Sequence, residues 1–408
     1  MTTSPERCLG GLIKDLDKDL SPREIDFESK DETAYKTSSE LKLSLDSIYS
    51  FTSISSLRTP FSEDSKFSTI NKFSTFPLTK ASILAAFSSQ RNTLFLQKSL
   101  NNISKEEINN IIKEMEGTFS QVIKNKNGNY FCSDLLKVCD KNQRIKILKE
   151  ISRTLRDDCV DEYGTHPIQT LIELCECEEE YKLILSSFKD SDKILTSSLN
   201  QNGSYVIQKI IVHIPERYRM EFNLMFIKNL LVLSMHMYSV CTVKKFIGYT
   251  KNELLLKQIL NIILNNFENI SGNQYGNYLI QYLLEYWWKT KEGIPLKNIC
   301  ISKFHILASN HFSSYICDLY IKLSSFEEKQ MLISSLIKGN TISLLTNNLS
   351  GNIILNKLMT SLNNQKEENK TKKHIPLSLK NIRAFNVKNK KEKTDEKDSK
   401  DKADKIDN

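Results

Sequence analysis

The sequence predicts an all-α protein built as a stacked array of short helices, and three observations lead to this. Apolar residues in the middle of the chain recur at helical spacing, as in 105–115 and 144–151, with few strand-like alternations of period two. The chain has 408 residues, and helices spread over such a length cannot all pack around one centre. One sequence motif also returns at an almost constant interval, which is typical of a repeat architecture.

The motif is clearest in Gly-Asn-Tyr-Leu-Ile-Gln at 276–281. Eight copies begin, counted from the Asn position, at 93, 129, 165, 204, 240, 277, 314 and 352, and the intervals run from 36 to 39 residues. The fourth position of every copy is apolar, and so is the residue four places later, which marks one buried helix face. Five of the twelve glycines directly precede a copy. We number the copies 1 to 8 along the chain and predict one helix for each.

The two ends of the chain differ from this middle. Residues 1–78 are rich in Ser and Thr, and residues 386–408 alternate Lys with Asp and Glu, so both are predicted to be disordered. Their net charges are −3 and +1, and the total of +8 therefore leaves +10 for residues 79–385. This excess favours a polyanionic partner for the folded part.

Composition and motifs argue against several classes of function. No apolar run reaches the roughly 18 residues of a membrane helix and no secretory signal is visible, so we expect an intracellular protein without membrane contact. Nine cysteines without a framework fit a reducing compartment. Six His residues lack ligand spacing, Cys175 and Cys177 form an isolated pair, and no phosphate loop or nucleophile motif occurs. We expect no enzyme, no metal and no cofactor.

Every copy except copy 5, whose first position is Val240, carries polar groups at its first and fifth positions, and most copies carry a ring at the second. The first and fifth positions lie one turn apart on a helix, and we expect them on the face away from the apolar stripe. Stacked repeats would align them along one surface. Amides and hydroxyls can hydrogen-bond base edges, and rings can stack on bases, so the pattern predicts recognition of a single nucleic-acid strand.

The candidate residues follow from the motif positions. The base-edge candidates, from the last copy to the first, are Asn352 with Asn356, Ser314 with Asp318, Asn277 with Gln281, Val240 with Lys244, Ser204 with Gln208, Thr165 with Gln169, Asn129 with Ser133 and Thr93 with Gln97. The stacking candidates are Tyr315, Tyr278, Tyr205, His166 and Tyr130.

These segments resemble the RNA-reading helices of the Pumilio (PUF) repeat family. The closest matches are Gly-Asn-Tyr-Leu-Ile-Gln at 276–281, Tyr-Gly-Thr-His-Pro-Ile-Gln at 163–169 and Gly-Ser-Tyr-Val-Ile-Gln-Lys-Ile at 203–210. The resemblance covers about three quarters of the chain. It implies a Pumilio homology domain at 79–385, folded as a right-handed α-solenoid crescent of eight repeats, that binds single-stranded RNA as a monomer. It also implies an antiparallel strand whose 5′ end meets copy 8.

The resemblance further implies a code: Asn with Gln for uracil, Ser with Glu for guanine, and Cys or Ser with Gln for adenine. Copies 8, 7 and 6 then resemble readers of uracil, guanine and uracil. Asn356 departs from the Gln of the uracil pair, and Asp318 is one methylene shorter than the Glu of the guanine pair. Copies 4, 3 and 1 resemble adenine readers, copy 2 is ambiguous, and copy 5 fits no pair. We expect copy 5 to be permissive or to contact a phosphate. The predicted site is 5′-UGU-N-A-A followed by two poorly defined bases.

The biological role is implied by the resemblance alone. A cytoplasmic regulator would recognise UGU elements in mRNA 3′ untranslated regions and cause translational repression or decay, with recruited repressor or deadenylation machinery. A nucleolar Pumilio-like rRNA-processing factor is an alternative, because copies 1, 5 and 8 have weak triplets. A protein-binding scaffold of HEAT or armadillo type is a second alternative, although such repeats usually have about 40 residues or more.

Overall fold

The computed structural model describes residues 79–368, which belong to one compact unit. Within 79–368 the chain forms twenty-three α-helices and one 3-10 helix, and no strand occurs in that range. The predicted all-α fold is confirmed. The predictions of disorder for 1–78 and 386–408 lie outside the described residues, as do positions 369–385 of the predicted domain.

The helices follow a fixed order along the chain. Copy 1 consists of α1 (Lys80–Ala86) and α2 (Gln90–Ser99), followed by a 3-10 turn at Leu100–Asn102. A unit of three helices then occurs seven times: α3 (Lys105–Glu114), α4 (Phe119–Ile123) and α5 (Gly128–Val138); α6 (Lys141–Ile151), α7 (Leu155–Val160) and α8 (Thr165–Leu174); α9 (Glu178–Ser186), α10 (Ser191–Leu199) and α11 (Gln201–His213); α12 (Met220–Lys228), α13 (Leu230–Ser234) and α14 (Ser239–Tyr249); α15 (Glu253–Asn265), α16 (Phe267–Gly272) and α17 (Gly276–Trp287); α18 (Gly293–Ser302), α19 (Phe304–Ser309) and α20 (Ser314–Leu323); α21 (Phe326–Lys338), α22 (Ile342–Thr346) and α23 (Leu349–Glu368). We call the three members of a unit its outer, middle and motif helix; in copy 1, α1 takes the place of the middle helix and α2 that of the motif helix.

The motif helices pack side by side in one continuous row. Each contacts the motif helix of the next copy, from α2 against α5 through to α20 against α23. Middle helices contact one another in the same manner, as α4, α7, α10 and α13 do in sequence, and so do outer helices such as α3, α6 and α9. Packing in which each copy contacts its neighbours is the arrangement of an α-solenoid, so this part of the prediction is also confirmed.

The apolar stripe of the motif helices is buried inside the array. In all eight copies the apolar residue at the fourth position and the one four places later are buried, with exposed fractions of 9% or less. Burying a Leu or Ile side chain of this kind stabilises a fold by about 1.5–3 kcal/mol. The members are Leu96, Cys132, Ile168, Ile207, Val243, Ile280, Cys317 and Leu355, and then Leu100, Leu136, Ile172, Ile211, Ile247, Leu284, Ile321 and Met359.

The residue before the motif makes a close contact with the main chain of the middle helix. A Cβ added at Gly203 would lie 2.4 Å from the carbonyl oxygen of Ser197, and one added at Gly276 would lie 2.4 Å from that of Ile270. In both copies the approached carbonyl is six residues earlier in the chain. Glycine is therefore required because only a residue without Cβ lets the two helices approach so closely.

Two copies have serine instead of glycine directly before the motif, and there a hydrogen bond from the serine hydroxyl takes the place of the close packing. Ser239 Oγ donates to the carbonyl of Leu233 at 2.7 Å, and Ser313 Oγ donates to that of Leu307 at 2.7 Å. Both carbonyls again lie six residues earlier. The same junction between middle and motif helix is thus kept by van der Waals contact in some copies and by a hydrogen bond in others.

A buried ion pair joins the outer helices of copies 3 and 4. Arg144 Nε donates to Glu180 Oε1 at 2.8 Å, and the two side chains are 8% and 0% exposed. The other carboxylate oxygen of Glu180 accepts from the backbone N–H groups of Glu176 and Cys177. Burial by itself raises the pKa of Glu180, but the hydrogen bonds from Arg144 and the backbone outweigh it, so the pKa of Glu180 is lowered.

We expect Gly276→Ala to lower the thermal unfolding midpoint, because the new Cβ collides with main-chain atoms of α16. Overpacking of this kind typically costs about 1–3 kcal/mol. Gly248→Ala is the matched control, since Gly248 also lies in a motif helix but its added Cβ would meet only the Tyr282 hydroxyl, at 3.3 Å. That change should be neutral or stabilising. Equal midpoints for both variants, measured by circular dichroism, would contradict the proposed close contact.

We expect Glu180→Ala to destabilise the fold by about 1–3 kcal/mol, because the Arg144 guanidinium loses its buried partner and keeps only the exposed carboxylate of Glu176 and a main-chain carbonyl. Glu179→Ala, which breaks an exposed pair with Lys149, should cost less than about 1 kcal/mol. The pKa of Glu180 is lowered by folding, so its contribution is present above the unfolded-state pKa and is lost as pH falls through the folded-state pKa. Urea unfolding should therefore show the difference between wild type and Glu180→Ala shrinking in acid, and a constant difference would disprove the ionic role.

Candidate nucleic-acid interface

The first motif position lies inside the protein in six of the eight copies, with exposed fractions of 3% or less. These residues are Thr93, Asn129, Thr165, Ser204, Val240 and Asn277, whereas Ser314 and Asn352 are half-buried. The expectation that this position faces away from the apolar stripe is wrong for those six. Helical side chains tilt towards the helix N-terminus, so a residue in the first turn covers the preceding loop instead of the open face.

Copy 6 shows what the buried first position does. Asn277 Nδ2 donates to the carbonyls of Asn273 at 3.0 Å and Gln274 at 2.9 Å, which fixes the orientation of its amide. Its Oδ1 accepts from Gln281 Nε2 at 2.8 Å, so the orientation of the Gln281 amide is fixed in turn. Gln281 is half-buried and keeps Oε1 and a second N–H for a ligand. At this copy the fifth position is open to a ligand, and the first position orients the fifth-position side chain.

The other first positions also direct their donors inward. Ser204 Oγ donates to the carbonyl of Gln201 at 2.8 Å, and Ser314 Oγ to that of His311 at 2.7 Å. In copy 3, Thr165 Oγ1 donates to the Asn202 carbonyl and accepts from Gln169 Nε2 at 3.0 Å, which repeats the arrangement of copy 6. In copy 2, Asn129 donates to two main-chain carbonyls and Ser133 Oγ donates to the Asn129 carbonyl.

The rings at the second position reach the surface. Tyr130 is 62% exposed and His166 is exposed, while Tyr205, Tyr278 and Tyr315 are half-buried. They stand on α5, α8, α11, α17 and α20 and are interrupted at α14. Burial and the neighbouring Tyr315 raise the pKa of Tyr278, as expected for adjacent phenols on consecutive motif helices. The predicted stacking residues therefore form two tracts on one row.

Copy 5 separates the two tracts. Val240, Cys241 and Lys244, which occupy its first, second and fifth positions, are buried with exposed fractions of 1%, 7% and 9%. Lys244 Nζ lies 5.7 Å from the ring centroid of Tyr282 on the next motif helix. This placement does not support the expectation that Lys244 contacts a phosphate.

In copy 7 the fifth position is held by two lysines. Asp318 accepts from Lys322 Nζ at 2.6 Å and from Lys357 Nζ at 2.8 Å. Burial alone would raise the pKa of Asp318, but the two lysines outweigh it and the pKa is lowered, so the carboxylate stays ionised near neutral pH. In copy 8, Asn356 Nδ2 donates to Asn352 Oδ1 at 3.0 Å, in the same sense as the pair in copy 6.

Capping side chains four residues before the motif were missed by sequence reasoning. Asn273 Oδ1 accepts from the backbone N–H of Tyr275 at 2.8 Å and from that of Gly276 at 2.9 Å, and so positions the start of α17. Six other copies have an equivalent contact, from Asn125, Asp161, Asn200, His236, Asn310 and Asn348. The sequence carries this signal, because Asn or Asp stands four residues before the motif in most copies.

The positive charge is distributed differently from the expectation for a folded domain of +10. Residues 369–385 contain five Lys or Arg and no Asp or Glu, so half of that excess lies outside the described residues. In the part of the chain that the structure describes, no group of three or more His, Cys, Asp or Glu side chains could hold a metal ion. No helix of that part is long and apolar enough to cross a bilayer.

Comparison with known proteins identifies the repeats. The family model described as "Pumilio-family RNA binding repeat" matches residues 94–116, 119–152, 198–221 and 266–287, which include parts of copies 1, 2, 4 and 6. "Pumilio homolog 12" of Arabidopsis thaliana is 28% identical over 169 residues, which is 40% of this chain and 28% of the relative. "Suppressor protein MPT5" of Saccharomyces cerevisiae is 23% identical over 195 residues, 46% of this chain and 23% of the relative. The matched part thus spans about a quarter of the length of these relatives.

Solved structures share the architecture. The Puf4 RNA binding domain, bound to an HO endonuclease RNA 3′ UTR recognition sequence, has a TM-score of 0.63 at 19% identity and covers 74% of this chain and 91% of that one. The RNA-binding domain of yeast Puf5p bound to AAT2 RNA has a TM-score of 0.60 at 22% identity, with 71% and 85% covered. At these identities the likeness shows the fold. The chain therefore shares the fold of these Pumilio-type domains, and four of its segments match the Pumilio-family repeat by sequence.

Proposed function

We propose that the chain is a sequence-specific single-stranded RNA-binding protein that recognises UGU-containing elements. The observation that carries this proposal is the row of motif helices, on which polar fifth positions and second-position rings recur at one phase on consecutive helices. Rings on such a row can stack on successive bases, and the polar groups can bind their edges. The Puf4 and Puf5p domains, whose structures contain bound RNA, support the same conclusion.

Uracil suits the geometry of copy 6. The Watson–Crick edge of uracil offers the N3–H donor beside carbonyl acceptors, and Gln281 can accept with Oε1 and donate with its second N–H. Asn277 holds the Gln281 amide in one orientation, since its own N–H groups are bound to main-chain carbonyls. Tyr278 lies next to this pair at the second position and would stack on the base. Copy 8 has the same donor and acceptor sense in Asn352 and Asn356.

Guanine suits copy 7. Its Watson–Crick edge presents two neighbouring donors, N1–H and the N2 amino group, and an ionised carboxylate offers only acceptors. Asp318 is such a carboxylate, and the lysines that contact it keep it ionised. Tyr315 would stack on the same base. Read from copy 8 inward, these three copies support 5′-UGU, and the buried triplet of copy 5 supports an unread base downstream of it.

The biological role is a further part of the proposal. A protein that binds UGU elements in mRNA 3′ untranslated regions would act in the cytoplasm, as a monomer on its RNA, and would repress translation or promote decay through repressor or deadenylation machinery. The Puf4 domain, which is bound to a 3′ UTR recognition sequence in its structure, supports this assignment. Nucleolar rRNA processing is the competing role, and the buried triplet of copy 5 is the observation that favours it.

Selection of a random single-stranded RNA pool on the full chain, at one stated salt concentration, tests the specificity. We expect enrichment of UGU followed by adenines, because copies 8 to 6 and then copies 4 and 3 carry the matching triplets. A bound pool without a shared motif would favour the nucleolar type of protein. Failure to retain any RNA would leave the protein-binding scaffold as the explanation of the array.

We expect the double change Tyr278→Ala with Gln281→Ala to weaken binding to UGU-containing RNA, since stacking alone contributes about 1–3 kcal/mol per base. The loss should be smaller on an RNA whose third base is already changed from uracil to cytosine, because the stacking loss is the same on both RNAs but the Gln281 hydrogen bonds to uracil are already absent from the second. Tyr286→Ala is the matched control, because Tyr286 is 52% exposed on the same helix but lies outside the triplet. Fluorescence anisotropy would measure both dissociation constants, and an equal loss on the two RNAs would refute the assignment of uracil to copy 6.

A further inference from the structure

We propose that the sixth motif position is a second specificity determinant, because it sets the hydrogen-bonding state of the fifth-position side chain in the preceding copy. The inference rests on the proposed RNA-binding function and adds a residue class that the base code does not contain. Three junctions between motif helices show the contact: Gln97 Nε2 to Asp134 Oδ2 at 2.6 Å, Lys244 Nζ over the Tyr282 ring at 5.7 Å, and Lys357 Nζ to Asp318 Oδ1 at 2.8 Å.

The contact between Gln97 and Asp134 is the most informative of the three, because one end of an amide donates a hydrogen bond and the other end accepts one. Asp134 is a carboxylate and accepts only, so the Gln97 end that faces it must be the N–H end. The other Asp134 oxygen accepts from Lys137 Nζ at 2.9 Å, which holds the carboxylate in place. Gln97 therefore turns its carbonyl oxygen away from Asp134. A flipped amide would set two acceptors against each other at hydrogen-bond distance.

In copy 1 the orientation of the Gln97 amide depends on Asp134, because the first position of the same copy does not accept from Gln97 as it does in other copies. In copies 3 and 6 the first position accepts from the glutamine Nε2, as Thr165 does for Gln169. In copy 1 the first position is Thr93, whose hydroxyl donates to the carbonyls of Ala86 at 3.2 Å and Ser89 at 3.0 Å. The neighbouring copy supplies the acceptor that Thr93 does not.

The orientation decides which atoms copy 1 offers to a base. With its carbonyl oxygen facing the ligand, Gln97 accepts from a base-edge donor, such as the exocyclic amino group of the adenine that the resemblance implies for this copy. The sixth position is Lys in copies 1, 4, 5 and 8 and Asp only in copy 2. A lysine donates only, so a lysine at position 134 would draw the glutamine oxygen towards itself and turn the N–H end outward.

The experiment compares full-length wild type, Asp134→Asn and Asp134→Lys on four RNAs that share the UGU element and differ only in the base opposite copy 1. Wild type should bind adenine better than the least favoured base by about three- to tenfold, as expected for one hydrogen bond. Asp134→Asn should bring the four affinities close together, because an asparagine can accept or donate. Asp134→Lys should change the order of the four affinities, because the N–H end of Gln97 then faces the base.

Two controls separate positioning from a structural role. Lys137→Gln removes the other partner of Asp134 but leaves the Gln97 contact, so it should retain the wild-type preference. In a Gln97→Ala background, Asp134→Lys should no longer change the preference, because no amide remains to be turned. A purely structural effect would lower all four affinities equally and would persist in that background. Either result would overturn the inference.

The proposed function and this inference fail in different ways. If wild type binds none of the RNAs, the proposed function is wrong. If it binds UGU-containing RNA but both Asp134 variants keep the wild-type preference at the base opposite copy 1, only the present inference is wrong. Should Asp134→Lys fail to fold, Asp134→Asn alone still decides, since it is nearly isosteric with the native side chain.

Discussion

In copies 2 to 8, the close contact between the start of the motif helix and a carbonyl six residues earlier is the constraint on which the array depends. It brings the motif helix against the middle helix at one fixed point in each of these copies, through glycine at Gly276 and through a serine hydroxyl at Ser313. Because the same point is used at the same phase, successive motif helices begin at equivalent places. Their fifth positions then fall into a row, which side-chain chemistry alone would not achieve.

The same close contact explains why the first and fifth positions of a copy have different roles. When the start of the helix is pressed against the preceding turn, the first side chain has no open space and must satisfy its polar atoms internally. Asn277 does so by binding two main-chain carbonyls. One turn later the helix has left the loop, and Gln281 emerges beside the ring of its copy. Orientation thus comes from a buried group, and contact with a ligand comes from a half-buried one.

The sequence was sufficient for the period, the helices and the buried stripe, because burial at a constant spacing leaves apolar residues at constant positions, as at Ile280 and Leu284. It was insufficient for the first position, since spacing gives the angle around a helix but not the direction in which a side chain leans. It could not give the partner of Gln97 either, because Asp134 is 37 residues away and adjacent only through packing. The capping role of Asn273 was readable in principle, as a second constant phase.

The hydrogen bond from Gln97 to Asp134 bears on how far such an array is modular. A copy moved into another array takes along its own reader, and also the orienting group for the copy in front of it. Exchange of copy 2 alone would replace the neighbour of copy 1, so two adjacent bases would be affected by one transplanted segment. The natural unit of exchange is then the junction between two motif helices, and boundaries drawn between copies cut through it.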